Sequence, residues 1–127
     1  MVSFAFRTPR IETNIPVFLR LQENDTGHLH PGSVSATIVN ISKNGAYLLI
    51  QKLFINGKHL FFATLNNTHV MILQSGENTG KIKNFNISAQ SVWMDSYKHD
   101  NRLCFKVGIC FTTPQKKLFQ NVKDVSA

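Results

Sequence analysis

Apolar residues recur at every second position through most of this chain, and a period of two suits a half-buried β-strand and little else. Ile15, Val17, Leu19 and Leu21 alternate with Pro16, Phe18, Arg20 and Gln22. Val34, Ala36 and Ile38 alternate with Ser33, Ser35 and Thr37. Further strand-like runs cover residues 46–51, 59–65, 70–73, 85–93 and 103–111. Between them stand Pro31-Gly32, the segment 40–45, Asn56-Gly57, Asn66-Asn67 and the loops 75–80 and 98–101, all rich in turn-forming residues. Seven short strands with frequent turns predict an all-β, antiparallel barrel or sandwich of six to seven strands. Closure into a barrel would remove the exposed edges that so many apolar strands otherwise leave.

The pattern changes at the C-terminus. Thr113 can cap a helix, Pro114 suits its first position, and Leu118, Phe119 and Val122 fall on one face, so a short helix is expected over 113–123. Alone it would be marginal, which implies packing on the barrel. The chain has 127 residues, 43% of them apolar, with no internal repeat or low-complexity linker. The expectation is one domain, 1–127, divided into a pre-strand loop 1–14, a barrel 15–112 and the helix 113–123.

No run approaches the roughly 18 uncharged apolar residues of a membrane helix. The apolar opening Met1 to Phe6 precedes Arg7 and Arg10, the reverse of a secretory signal. Cys104 and Cys110 lie six positions apart in one strand, roughly 20 Å along it. A disulfide needs alpha carbons within about 7 Å, so both are expected to be free thiols, in keeping with a cytoplasmic protein.

Fourteen Lys and Arg against seven Asp and Glu give a net charge of +7, which points towards an anionic partner. The charge is dispersed, with Lys116-Lys117 the one adjacent pair, so most of it reads as ordinary surface. The acidic residues form no evident acid–base pair, Ser42 lacks the glycines of a nucleophile elbow, and no glycine-rich phosphate loop precedes a helix. No catalytic residue and no cofactor is therefore expected. His28 and His30 could offer imidazoles to a metal, but only Glu23 and Asp25 stand near them, so no metal site is expected either. Trp93 shares the odd-numbered face of its strand with Phe85, Ile87 and Ala89 and reads as core.

Two segments break the strand pattern without a packing reason. Arg7-Thr8-Pro9-Arg10 precedes the first strand, and Asn40-Ile41-Ser42-Lys43-Asn44-Gly45 forms a turn between two others. In this order they resemble the PilZ domain family, small barrels that bind the bacterial second messenger cyclic di-GMP. The second segment matches the family's D/N-x-S-x-x-G turn in full, and Gly45-Ala46-Tyr47-Leu48 continues as family members do. Asn56-Gly57, Ser91-Val92-Trp93 and Val107 to Phe111 extend the likeness over about residues 5–112. The family's first motif is RxxxR; here Phe6 stands four positions before Arg10 and Arg7 three, giving RxxR. One position changes the reach of an extended chain by about 3.3–3.6 Å.

The resemblance implies a PilZ-like barrel that acts as a non-enzymatic cyclic di-GMP receptor, with Arg7, Arg10, Asn40, Ser42 and Gly45 as ligand-binding residues. Their chemistry suits such a ligand. An Arg fork can pair with guanine O6 and N7 or with phosphate, and its flat face can stack on a base. The Asn40 side chain can accept from guanine N1 and N2, and the Ser42 hydroxyl can give or take a bond. Gly45 would permit a positive φ and close approach of ligand to backbone. The pre-strand loop would close over the ligand and change the surface offered to a downstream protein of motility, pilus or biofilm machinery. Two alternatives remain: a PilZ-like adaptor that binds proteins without nucleotide, favoured by Phe6, and a basic barrel for single-stranded nucleic acid. The last is disfavoured because many of the ten Phe sit at strand positions expected to be buried.

Overall fold

A computed structural model describes residues 9–75, 82, 84–99 and 101–126. Its elements are β1 (Ile11–Glu23), β2 (Val34–Ile41), β3 (Gly45–Ile50), β4 (Phe54–Ile55), β5 (Lys58–His59), α1 (Leu60–Leu65), β6 (His69–Ser75), β7 (Asn86–His99), β8 (Arg102–Phe111) and α2 (Lys116–Ser126). Six antiparallel strands close a barrel in the order β1-β2-β3-β8-β7-β6, and β4-β5 form a separate hairpin. The alternation in sequence becomes an inside and an outside. Leu19, Leu21, Ile38, Leu48, Met71 and Leu73 point inward and are fully buried. Each such side chain contributes about 1.5–3 kcal/mol relative to its exposed state.

Of residues 59–65, expected as a strand, 60–65 form α1 instead, and His59 ends β5. A continuous apolar run carries no clear period, and helical spacing wins here because Leu60, Phe61 and Thr64 share the buried face. The His59 side chain caps the helix by accepting from the Phe62 amide. Inside, the Thr64 hydroxyl donates to the Leu60 carbonyl at 2.8 Å and pairs with the Ser91 hydroxyl at 2.6 Å, so the polar groups beneath α1 are satisfied.

The C-terminal helix is present but starts at Lys116, so neither Thr113 as cap nor Pro114 as first helical residue holds. Gln115 takes the cap position, its carbonyl accepting from the Phe119 amide at 3.0 Å. The preceding residues are strapped to the barrel: the amides of Phe111, Thr112 and Gln115 donate to the carbonyls of Asn44 (2.8 Å), Ser88 (3.0 Å) and Lys43 (2.7 Å). A chain held extended by these bonds cannot begin to coil. Leu118 and Val122 then bury the helix against the barrel, as the sequence predicts.

The cysteines are free, but they are not equivalent: Cys104 is buried and Cys110 exposed. Leu103 is exposed as well, although alternation along β8 would place it on the same face as the buried Val107, Ile109 and Phe111. Pairing of β3 with β8 stops at Phe105, while β7 pairs with β8 as far as Arg102. The β7–β8 hairpin thus runs past the end of β3, which leaves Leu103 exposed while Cys104 stays buried.

Candidate functional site

Register across the wall places Glu12 of β1 opposite Asn40 of β2, Asn40 opposite Tyr47 of β3, Tyr47 opposite Gly108 of β8, and Gly108 opposite Trp93 of β7. Paired residues of neighbouring strands point the same way, so these five form one row on the outer face. Register shifts lie between Glu12 and Ile15, between Ile38 and Asn40, and between Ser91 and Trp93, all at this level of the barrel. An extra residue in one strand bends it and re-aims the side chains that follow. This overturns the expectation that Trp93 belongs to the core. Ser91 still points inward opposite Ile109, Val92 is the extra residue, and Trp93 comes out opposite Gly108.

Packing along the row is tight. Trp93 lies against Gly108, where any Cβ would collide with the indole Nε1 and Cε2. The Tyr47 and Trp93 rings meet edge to face, centroids 5.1 Å apart. Arg10 completes the group. Its Nη1 donates to Asn40 Oδ1 at 2.9 Å, and its Cζ sits 4.3 Å from the Tyr47 centroid, a cation–π contact. The Lys106 ammonium stands 5.1 Å from the same ring. Two cations, two aromatic rings and an amide thus share a half-exposed patch, a combination suited to a flat anionic ligand.

Of the residues singled out by sequence, Arg10 and Asn40 are brought into direct contact. Arg7 and Phe6 lie outside the described residues, as does most of the loop 1–14. Ser42 is fully buried, and its hydroxyl accepts from the Asn44 and Gly45 amides at 3.3 and 3.2 Å and donates to the Gly45 carbonyl at 3.3 Å. Its chemistry is spent on holding the turn. Gly45 does not adopt a positive φ; the reason for glycine is that a Cβ there would collide with the Ile109 carbonyl oxygen of β8. Sequence reasoning missed Tyr47 as a ring platform and Lys106 altogether. The match Gly45-Ala46-Tyr47 held a hint of the first; nothing local marked the second.

A cleft of about 620 Å³ is lined by Pro9, Ile11 and Lys43 together with Lys116, Phe119, Gln120 and Lys123 of α2. It combines an apolar lining with three lysines. Lys116, read from sequence as ordinary surface, thereby lines the same cleft as Lys43 of the motif turn.

No family model and no curated protein matches the sequence. Solved structures do match the fold. They include Borreliella burgdorferi PlzA in complex with c-di-GMP (12% identity, TM-score 0.59, 98% of this chain and 52% of that one). The PilZ domain of YcgR from Escherichia coli with c-di-GMP is similar over 94% of this chain and 86% of its own (12% identity, TM-score 0.58). The K. pneumonia MrkH–c-di-GMP complex matches over 94% of this chain and 50% of its own (12% identity, TM-score 0.56). The chain thus spans about half the length of PlzA and MrkH and most of the YcgR domain. Its closed six-stranded barrel, with the D/N-x-S-x-x-G turn at the same edge as the aromatic row, has a PilZ-like fold.

Proposed function

We propose that this chain is a non-enzymatic receptor for cyclic di-GMP that binds its ligand on the outer row Asn40–Tyr47–Gly108–Trp93. The observation that carries this reading is the Arg10 guanidinium, stacked on Tyr47 and hydrogen-bonded to Asn40 beside a motif turn built as the family's motif requires. Arg10 would offer its fork to a guanine edge or a phosphate, and the rings of Tyr47 and Trp93 would face the bases. Lys43 and Lys106 would add phosphate charge. Arg7 would supply the second guanidinium of the family's first motif, and Ser42 and Gly45 act by fixing the turn. The segment ahead of β1 would close over the ligand and alter the surface presented to a downstream protein in the cytoplasm.

Calorimetric titration with cyclic di-GMP tests the reading. Saturable binding, lost in Arg10→Ala, is expected; no heat at ligand concentrations of about 100 μM would end it. One observation favours the adaptor as a second reading. Phe54 and Phe62, 62% and 52% exposed, pack on the His59 ring at centroid distances of 5.1 and 4.6 Å, an aromatic cluster open to a protein partner. Capture of a partner indifferent to added nucleotide, with silent calorimetry, would select it.

A further inference from the structure

At the other end of β1 from Arg10, Glu23 and His30 meet His69 from a distant part of the sequence. His30 Nε2 lies 3.2 Å from His69 Nε2 and 3.2 Å from Glu23 Oε2, and the three ligand atoms fall within 4.8 Å of one another. His30 and His69 are buried, at 5% and 9% exposure. Zinc binds imidazole nitrogen at about 2.0–2.1 Å in a tetrahedron, which sets two ligand atoms about 3.3 Å apart. Two of the three spacings, His30 to His69 and His30 to Glu23, match that value, and a small turn of the half-buried Glu23 side chain would bring its carboxylate to the ion as well.

Each imidazole has an outer partner that can hold its Nε2 lone pair inward. The Thr68 hydroxyl lies 3.2 Å from the Ala63 carbonyl and 2.9 Å from His69 Nδ1; when it donates to the carbonyl, it accepts from a proton on Nδ1. In that arrangement the His69 proton sits on Nδ1 and the Nε2 lone pair faces His30 and Glu23. The Asn56 side-chain amide lies 3.1 Å from His30 Nδ1. Turned about its Cβ–Cγ bond, that amide presents its oxygen to an Nδ1 proton and leaves His30 Nε2 free to coordinate. Outer partners of this kind, one per imidazole, are the usual support of metal-binding histidines.

We propose that Glu23, His30 and His69 form a site for a divalent transition-metal ion of the zinc type, with the fourth position open to water. The ion ties the end of β1 and the loop after it to the start of β6. The site is independent of the nucleotide reading, since none of its residues touches the Arg10 row. The hydrogen-bonded cluster without metal is the competing account: a proton on His30 Nε2 can fill the same gap.

Equilibrium dialysis of the untagged full chain, thiols blocked, against zinc tests the proposal, with cobalt as a spectroscopic stand-in. One ion per chain is expected, with a visible cobalt spectrum of four-coordinate nitrogen and oxygen ligands and a zinc-dependent rise in Tm. Binding should vanish in His30→Gln and His69→Gln and weaken by about 10-fold or more in Thr68→Val, which removes only the outer partner. Absence of saturable zinc or cobalt binding by the native chain overturns the proposal, and so does binding that survives in a folded His69→Gln. The cobalt spectrum requires no variant, so a variant that fails to fold leaves the test intact.

Discussion

Arg10 Nη1 donates to Asn40 Oδ1 at 2.9 Å, joining the entry of β1 to the end of β2 across 30 positions of sequence. The bond ties the two sequence motifs into one unit and aims the guanidinium along the Tyr47 ring. A ligand that uses Arg10 meets a pre-aimed fork rather than a free side chain, which reduces the ordering cost of binding.

Substitution at Arg10 should therefore grade with geometry. Arg10→Ala should cost about 2–5 kcal/mol of cyclic di-GMP affinity, the range for truncating a hydrogen-bonded charge. Arg10→Lys keeps the charge but loses the planar fork, and should fall between the native chain and Arg10→Ala. Calorimetry at one fixed salt concentration measures both. Equal affinities for the Lys variant and the native chain would mean that Arg10 contributes only charge.

Trp93 is the single tryptophan, so its emission reports on the row directly. Saturating ligand should shift or quench it. Gly108→Ala should displace the half-exposed indole, change the emission of the unliganded protein and weaken the ligand, while far-ultraviolet circular dichroism stays native. Displaced emission with unchanged affinity would remove Trp93 from the site.

Gly45 and Ser42 should affect stability before they affect binding. The obstacle to a Cβ at Gly45 is the Ile109 carbonyl oxygen, part of a strand that cannot yield locally. Gly45→Ala should destabilise the unliganded protein by about 1–3 kcal/mol, as overpacking does. Ser42→Ala removes the hydroxyl that accepts from the buried Gly45 amide and should cost a similar amount, about 1–3 kcal/mol. Urea midpoints measured without ligand decide the matter. Native midpoints with lost binding would return both residues to the ligand.

The barrel was legible because burial follows a period of two along β1, where Ile15, Val17, Leu19 and Leu21 are all core. The turn 40–45 was legible because Asn, Ser and Gly stand at fixed offsets within six residues. Trp93 was not, because a one-residue bulge at Val92 inverts the face while leaving the alternation in the sequence unchanged. Residues 59–65 misled because His, Leu and Phe in a short apolar run fit a strand and a helix alike, and the choice fell to contacts with Ser91 and the barrel end. Glu23 and His30 were seen as neighbours, but His69 comes from a strand 39 residues further on, and only folding brings it to them.

The pre-strand segment offers a test that reads Arg7 and Arg10 separately. Both are trypsin sites, followed by Thr8 and Ile11. A guanidinium engaged by guanine or phosphate cannot enter the protease's acidic specificity pocket, so saturating cyclic di-GMP should slow cleavage after Arg10. If Arg7 also closes on the ligand despite the RxxR spacing, cleavage after Arg7 should slow in parallel. Slowing at Arg10 alone would assign the clamp to one arginine and show the cost of Phe6 at the family's first position. Lys58 in the β4–β5 hairpin is exposed and belongs to neither motif, so cleavage there supplies the internal control. Unchanged rates after both arginines at saturating ligand would rule out closure of this segment, whatever the calorimetry shows.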